Sequence, residues 1–389
     1  MNYILADFNK HTALLPFTYT RPTSGMRCGI LTLSEKWERR LKSSVSFHTQ
    51  DYLQTKFPLV VTDDNLVIAG HIFATDELVT AIQKLSTGEK LMHGDEVIAF
   101  RESEINTDHN ALKEIPYNGN CDGIYNTWDI FSKNGNQLEA DYDLITAGRK
   151  SQPIPDNVQT IHPEHIFIEE GAVLNFATLN ATNGPIYIGK NAEVMEGSII
   201  RGGFALCDHS ATKLGTKVYG PTTVGPHSKI GGEVNNSVIF GYSNKGHEGF
   251  LGNSVLGEWC NIGADSNTSN LKNNYAEVKL WNYETGRFAK TGLQFCGLML
   301  GDHSKCGINT MFNTGTVVGV SANIYGAGYP RNFIPSFSWG GPQGTMTYKT
   351  NKAYEVADVV MKRRGLSLEQ IDIDILDAVF EKTSQFRKD

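Results

Sequence analysis

Six cysteines are spread through the chain, and no two stand as Cys-x-x-Cys. That spacing is what zinc ribbons and dithiol redox enzymes use, so both classes are disfavoured. No three His, Cys or carboxylate residues fall at a convincing metal-ligand spacing, and no metal centre is expected. The chain also lacks a Gly-x-Ser-x-Gly elbow, a P-loop and a dinucleotide fingerprint. No apolar run is long enough to span a bilayer, and a start carrying Asp7 does not read as a secretory leader. Positive charge is in short supply too. The formal net charge is −7, which argues against nucleic acid as the main partner. Cys260 and Cys306 fall at apolar positions of a repeat and read as small reduced core residues. Cytoplasmic residence is then the default expectation. What remains is ordinary for a soluble globular protein, 40% hydrophobic and 20% charged over 389 residues, long enough for two domains.

The strongest pattern runs from Leu300 to Ile324. Leu300, Cys306, Phe312, Val318 and Ile324 are apolar and recur every six residues. Gly301, Gly307 and Gly319 follow three of them, and Ser304, Thr310, Thr316 and Ala322 keep a small residue four places on. Period six fits neither a helix nor a single alternating strand. It fits a parallel β-helix with one inward side chain per flat face, small residues at the corners and Gly where the backbone demands it. Ile188, Val194, Ile200 and Leu206 keep the same register, as do Val218, Val224 and Ile230, and Leu256, Ile262 and Thr268. An ordinary β-sandwich would need alternation and longer, less regular spacing.

Residues 1–150 read as an α/β domain. Met1–Ala6 is expected as a buried strand, Asp7–Gly29 as a long loop and Ile30–Leu41 as a helix. Strands are expected at Pro58–Thr62, Asn65–Ala69 and Val97–Phe100, and helices at Asp76–Leu85 and from Thr127. Strand, loop and helix can present backbone N–H groups to a phosphate, with Arg21, Arg27 and Lys36 adding charge. Taken alone, these three cations read rather as a solvated basic edge. Ser151–Pro155 breaks the chain before a β-helix that begins near Ile166 and fills residues 151–330. Residues 331–389 are expected as a linker and helical tail. Asn351 is read as one cap, and Ser367 with Gln370 as a capping box for a helix burying Ile371, Ile375, Leu376, Val379 and Phe380.

The hexad register fails at Phe240–Gly249 and at Ser269–Gly292, where insertions are expected to leave the stack and build a binding surface. His247 lies in the first break. A neutral imidazole there suits removal of an ammonium proton during acyl transfer, and corner N–H groups suit a tetrahedral oxyanion. An inert surface histidine fits the spacing as well. His71, His209, His227 and His303 have less context and read as structural.

The run Asn244–Asn253, then Leu256-Gly257, Asn261-Ile262-Gly263-Ala264 and Asn270, resembles the acetyltransferase domain of a bifunctional family. That family is N-acetylglucosamine-1-phosphate uridyltransferase/glucosamine-1-phosphate N-acetyltransferase. The resemblance implies a left-handed β-helix, a homotrimer and acetyl-CoA bound between subunits. It implies His247 as catalytic base, Asn270 at the substrate amine and the Ala264 N–H facing the acetyl group. Asn235, Asn236 and Lys245 complete the implied substrate and acetyl-CoA contacts. A family lysine on the sugar phosphate aligns with Asn235, and two family tyrosines align with Phe250 and Leu271. Loss of a cation and two hydroxyls weakens the implied grip on a charged sugar phosphate.

Leu14–Pro22 and Arg27–Glu38 resemble the first half of a divergent variant of that family found in Bacteroidetes. The Gly-rich loop is missing, and Gly70-His71 stands where a metal-binding Asp would follow a buried strand. The resemblance implies nucleotide contacts at Arg21, Arg27 and Lys36, and Mg²⁺ if nucleotidyl transfer is retained. The expected function is acetyl transfer to an amino sugar 1-phosphate, with sugar-1-phosphate nucleotidyl transfer in the N-terminal domain. The alternatives are a nucleotidyltransferase whose β-helix is a trimer scaffold, or a non-catalytic sugar-nucleotide-binding protein.

Overall fold

The computed structural model describes residues 1–105 and 111–387. The chain packs as two compact units. The first comprises Met1–Leu14, Thr18–Met26 and Leu31–Asn126, and the second Leu15–Phe17, Arg27–Ile30 and Thr127–Asp389.

The first unit is built on a six-stranded mixed sheet. Its strands are β1 (Asn2–Ala6), β2 (Ser46–His48), β3 (Asn65–Ala69), β4 (Glu89–His93), β5 (Glu96–Glu102) and β6 (Lys113–Pro116), in the order β2-β1-β3-β5-β4-β6. β1 pairs in parallel with β2 and β3, while β5 runs antiparallel to β3 and β4. The uninterrupted apolar runs of β1 and β3 are buried, as expected of strands covered on both faces. Three helices accompany the sheet, α1 (Leu33–Leu41), α2 (Asp51–Gln54) and α3 (Asp76–Gln83). α1 starts later than expected because Thr32 caps it. Thr32 Oγ1 accepts from the Glu35 N–H at 3.2 Å, and Glu35 Oε2 accepts from the Thr32 N–H at 2.6 Å. Pro58–Thr62 is not a strand but an irregular stretch, whose Val60 carbonyl accepts from the Asn2 and Ser46 side chains.

The second unit opens with α4 (Asp129–Ser132) and α5 (Asn134–Thr146), the latter not anticipated. Asn134 ties this region to the solenoid. Its Oδ1 accepts from the Gly29 N–H at 2.7 Å and Thr223 Oγ1 at 3.1 Å, and its Nδ2 donates to the Pro221 carbonyl at 3.2 Å. These helices therefore pack with the solenoid although they precede the Ser151–Pro155 break.

The solenoid is a parallel β-helix with three flat faces. Face one has six strands, from Gln159–Ile161 to Phe250–Gly252. Face two has nine, from Ile166–Ile168 to Phe333–Ile334. Face three has ten, from Val173–Leu174 to an antiparallel last strand, Gly344–Thr347. Ile188, Leu206 and Val224 stack in successive coils eighteen residues apart, and one apolar core runs through the solenoid. The hexad residues fill it, one side chain per face.

The glycines after the apolar positions act through closeness rather than through unusual dihedrals. A Cβ on Gly225 would lie 1.7 Å from the Phe240 carbonyl oxygen of the next coil. The left-handed corner positions go mostly to other residues, among them His209, His227, Tyr242, Trp259 and His303 at φ 54–61°. Their rings form a ladder, with successive centroids 4.8, 4.8, 4.2 and 6.3 Å apart.

The two register failures have different causes. The coil that precedes Phe240–Gly249 is shortened, while Ile239, Lys245 and Leu251 keep the six-residue spacing through it. Ile239 follows Val224 by fifteen residues and still pairs with it, so nothing leaves the stack there. At Ser269–Gly292 an excursion does leave it, carrying an antiparallel hairpin, Lys279–Asn282 with Arg287–Lys290. Two helices close the chain, α6 (Thr350–Lys362) and α7 (Gln370–Lys382). α6 begins after Lys349 rather than at Asn351. The capping box of α7 is Glu369 with Asp372, not Ser367 with Gln370. Ile375, Leu376 and Val379 are buried as expected.

Gly225→Ala should destabilise the second unit by about 3 kcal/mol, because two coil backbones have to separate. Gly307→Ala, whose Cβ would meet nothing closer than 3.4 Å, should leave stability nearly unchanged. Chemical denaturation of both variants beside wild type checks this.

Candidate functional site

Face three and α6 enclose a cavity of about 660 Å³ within the second unit. His247 reaches it from the corner between faces three and one, and its side chain is exposed. Gly263 and Ala264, on the next coil, form the adjoining wall. Asn309 donates its N–H to the Ala264 carbonyl at 2.8 Å, which fixes that corner. Among the described residues the Ala264 N–H itself donates to no protein acceptor. His247 and Ala264, the latter with an unspent backbone donor, therefore line one space, and an imidazole with such a donor is the pairing that acyl transfer requires.

Lys245 sits differently from the expected ligand contact. It is in register with Ile230 at an inward core position and is only 2% exposed. Its Nζ donates to the Gly231 carbonyl at 2.8 Å and the His247 carbonyl at 2.6 Å. The ammonium thus ties down the turn that carries His247. Burial pulls its pKa down to about 8, with Glu248 acting the other way.

Asn235, Asn236 and Asn270 do not line this cavity. Asn235 Nδ2 donates to the Tyr219 carbonyl at 3.0 Å, and Asn236 adopts a left-handed φ of 42°. Asn270 Nδ2 donates to Asn253 Oδ1 at 2.8 Å. The sequence reading missed the rest of the cavity's lining, Lys213 and Lys229 on the solenoid with Val356, Val360, Arg363 and Arg364 of α6 and the turn after it. Only the Arg363-Arg364 pair closing a helical pattern marked it in the sequence.

The first unit holds a second concavity, of about 790 Å³, at the carboxyl ends of β1 and β2 and beside the β4–β5 turn. In open α/β sheets ligands bind at such carboxyl ends. Asp7 closes β1 and is buried. Its Oδ1 accepts from the Thr23 N–H at 2.7 Å and Thr23 Oγ1 at 2.9 Å. Its Oδ2 accepts from Thr49 Oγ1 at 2.5 Å and lies 3.1 Å from His11 Nδ1. Glu96 opens β5 at the same edge. Its Oε1 is 3.0 Å from His71 Nε2, and its Oε2 accepts from the Tyr125 hydroxyl at 2.8 Å. Lys10 Nζ stands 3.8 Å from Glu96 and 5.2 Å from the Tyr125 ring centroid. Burial raises the Glu96 pKa, but the bonds from His71 and Tyr125 outweigh it, so the carboxyl stays below its usual range. Burial likewise holds His71 below the usual histidine value, against the pull of Glu96. In the sequence only His71 was singled out from this cluster, as standing where a metal-binding Asp of the resembled family would follow a buried strand.

Of the three expected nucleotide contacts, Arg21 and Lys36 lie buried in the first unit. Arg27 belongs to the second. Its Nε donates to the Phe240 carbonyl at 3.1 Å, and its Nη1 to the Ile30 carbonyl. The structure thus assigns the three cations to different compact units.

Residues 3–150 match the family described as sugar nucleotidyl transferase, so the chain carries a domain of that class beside a parallel β-solenoid. Its homologues include bifunctional proteins. Over 267 residues it is 28% identical to the bifunctional sugar-1-phosphate nucleotidylyltransferase/acetyltransferase of Sulfurisphaera tokodaii, covering 68% of this chain and 59% of that one. Over 87 residues it is 33% identical to the bifunctional protein GlmU of Methanocaldococcus jannaschii, covering 22% and 21%. The chain thus spans less than two thirds of either relative. Among solved structures, the UDP-N-acetylglucosamine acyltransferase from Campylobacter jejuni aligns at 14% identity and TM-score 0.33, over 60% of this chain and 95% of that one. The N-acyltransferase AntD from Bacillus cereus, in complex with dTDP and coenzyme A, aligns at 13% and 0.23, over 53% and 91%.

The pKa of Lys245 gives a prediction with a definite sign. The folded value lies below the unfolded one, so the unfolded chain takes up the proton first as pH falls. Wild type should gain roughly 3 kcal/mol relative to Lys245→Met as pH rises from about 8 to above 10.5. Urea denaturation of both proteins across that range measures it.

Proposed function

We propose that the second unit transfers an acetyl group from acetyl-CoA to the amine of an amino sugar 1-phosphate. The observation that carries this reading is that His247 and Ala264, the latter with an unspent N–H, line one cavity. The amine nitrogen attacks the thioester carbonyl while His247 takes the ammonium proton. The Ala264 N–H steadies the oxyanion, the C–S bond breaks and the CoA thiolate leaves. Lys245 holds the His247 turn in place. Asn235, Asn236 and Asn270 enter the site from a neighbouring copy of a homotrimer in this reading, with the left-handed coil that goes with it. The bifunctional relative from S. tokodaii supports pairing the two activities on one chain.

The first unit, in the same reading, binds a nucleoside triphosphate and a sugar 1-phosphate in the cavity beside Asp7 and Glu96. The sugar phosphate oxygen attacks the α-phosphorus, and pyrophosphate leaves. Arg21 and Lys36 supply positive charge within that unit. The donor set does not fit Mg²⁺ well. Asp7 and Glu96 already accept hydrogen bonds on both oxygens, and no group of three His, Cys, Asp or Glu side chains among the described residues is placed to hold a metal. No step is therefore routed through it. All six cysteines are free thiols, and no helix among the described residues is long and apolar enough to cross a membrane. Both accord with a cytoplasmic enzyme.

Thiol release from acetyl-CoA with glucosamine 1-phosphate tests the first activity. His247→Ala should lower it by roughly a hundred- to ten-thousand-fold. Equal rates in the two proteins would remove His247 from the mechanism. Pyrophosphate release from a nucleoside triphosphate with a sugar 1-phosphate tests the second activity, and Asp7→Asn should reduce it at least ten-fold. Pyrophosphate release without any thiol release would leave the solenoid as a scaffold.

A further inference from the structure

The lining of the solenoid cavity carries more positive charge than the fold needs. Lys213 and Lys229 reach it from face three, and Arg363 and Arg364 from the end of α6. Among the described residues none of the four is in an ion pair with a carboxylate. Among their charged groups, Arg364 Nη2 makes one long contact, to Asn244 Oδ1 at 3.4 Å.

Arginines at a helix C-terminus complement its dipole, which by itself would explain Arg363 and Arg364. It does not explain the two lysines on a different element facing the same space. Burial pulls the Lys229 ammonium below its usual value, and Arg364 and Lys213 push it further down, against the pull of Glu193. These cations repel one another, and Glu193 offsets the charge on Lys229 only in part, without forming an ion pair with it.

We propose that Lys213, Lys229, Arg363 and Arg364 form a binding site for a phosphate ester or pyrophosphate, so that α6 and the turn after it help build the transfer site. Four convergent cations match a multiply charged anion. Two guanidinium forks suit tetrahedral oxygens, and the two lysines add point charges. A cavity of about 660 Å³ holds a small molecule with one end at this cluster and the other at His247. Tyr242 and Trp259 line the same cavity. The proposal rests on the acetyl-transfer reading only for which end of the ligand reacts. The phosphate belongs either to the nucleotide end of the acyl donor or to the amino sugar 1-phosphate.

Calorimetry with inorganic pyrophosphate, CoA, dephospho-CoA, glucosamine 1-phosphate and glucosamine tests it on wild type, Arg363→Gln/Arg364→Gln and Lys213→Gln/Lys229→Gln. The arginine pair lies outside the helix hydrogen-bonding core, so that variant should fold. Pyrophosphate affinity should fall about ten- to a hundred-fold in each double variant, with a weaker salt dependence. A matching loss for CoA but not dephospho-CoA assigns the site to the donor's 3′-phosphate, and an equal loss for both assigns it to the donor's pyrophosphate. A matching loss for glucosamine 1-phosphate but not glucosamine assigns it to the acceptor. Wild type that binds no phosphate-bearing ligand, or variants that bind all of them as wild type does, would overturn the proposal. Lost anion binding in the variants, with wild-type thiol release absent or indifferent to His247→Ala, would sink the acetyl-transfer reading and leave the phosphate site standing.

Discussion

Each coil of the solenoid has room for one inward side chain per face, and neighbouring coils approach until their backbones nearly touch. The Gly225 position, with a carbonyl of the next coil where a Cβ would go, states that constraint most severely. It fixes residue type along the core column, requires small residues where backbones meet, and pushes everything chemically active to the corners. Lys245, among the described residues the one cation placed in the column, shows what the constraint costs. It can stay because the Gly231 and His247 carbonyls receive its protons, and one of those belongs to the turn that presents the candidate base. Core packing and site geometry therefore meet in a single side chain.

The solenoid was legible because its period is enforced by contacts between coils that recur at fixed sequence distance. Ile188, Leu206 and Val224 announce their stacking in the primary structure. The shortened coil before Ile239 was misread as an insertion, since loss of register looks the same whether residues are added or removed. Lys245 made that worse, because a lysine in an apolar column hides the column. α5 was missed for another reason. Asn134 and its partners Gly29, Pro221 and Thr223 are far apart in sequence, so no local pattern reports them.

The sites were legible only where one strand of sequence carries them. His247 and Ala264 stand on consecutive coils, and each lies in a recognisable run. The cluster of Asp7, His71, Glu96 and Tyr125 is assembled from three strand ends and a later loop, and the parallel pairing of β1 with β3 and the antiparallel pairing of β3 with β5 bring it together. Arg27 shows the reverse case. It stands in a run that suggests phosphate binding, yet its guanidinium donates to backbone carbonyls of its own unit. Sequence position gave its charge but not its direction.

The ring ladder at the corner between faces two and three has an optical consequence. Trp259 is stacked between Tyr242 and His303, and it also lines the cavity that His247 enters. An indole held between two rings has a fixed orientation, so its near-ultraviolet circular dichroism is strong and its emission answers to small shifts of either neighbour. In a stack where each coil touches only the next, such a signal reports the local coil rather than the whole molecule. Occupancy of the cavity is thus written into the chain's own absorption, where no label is needed to read it.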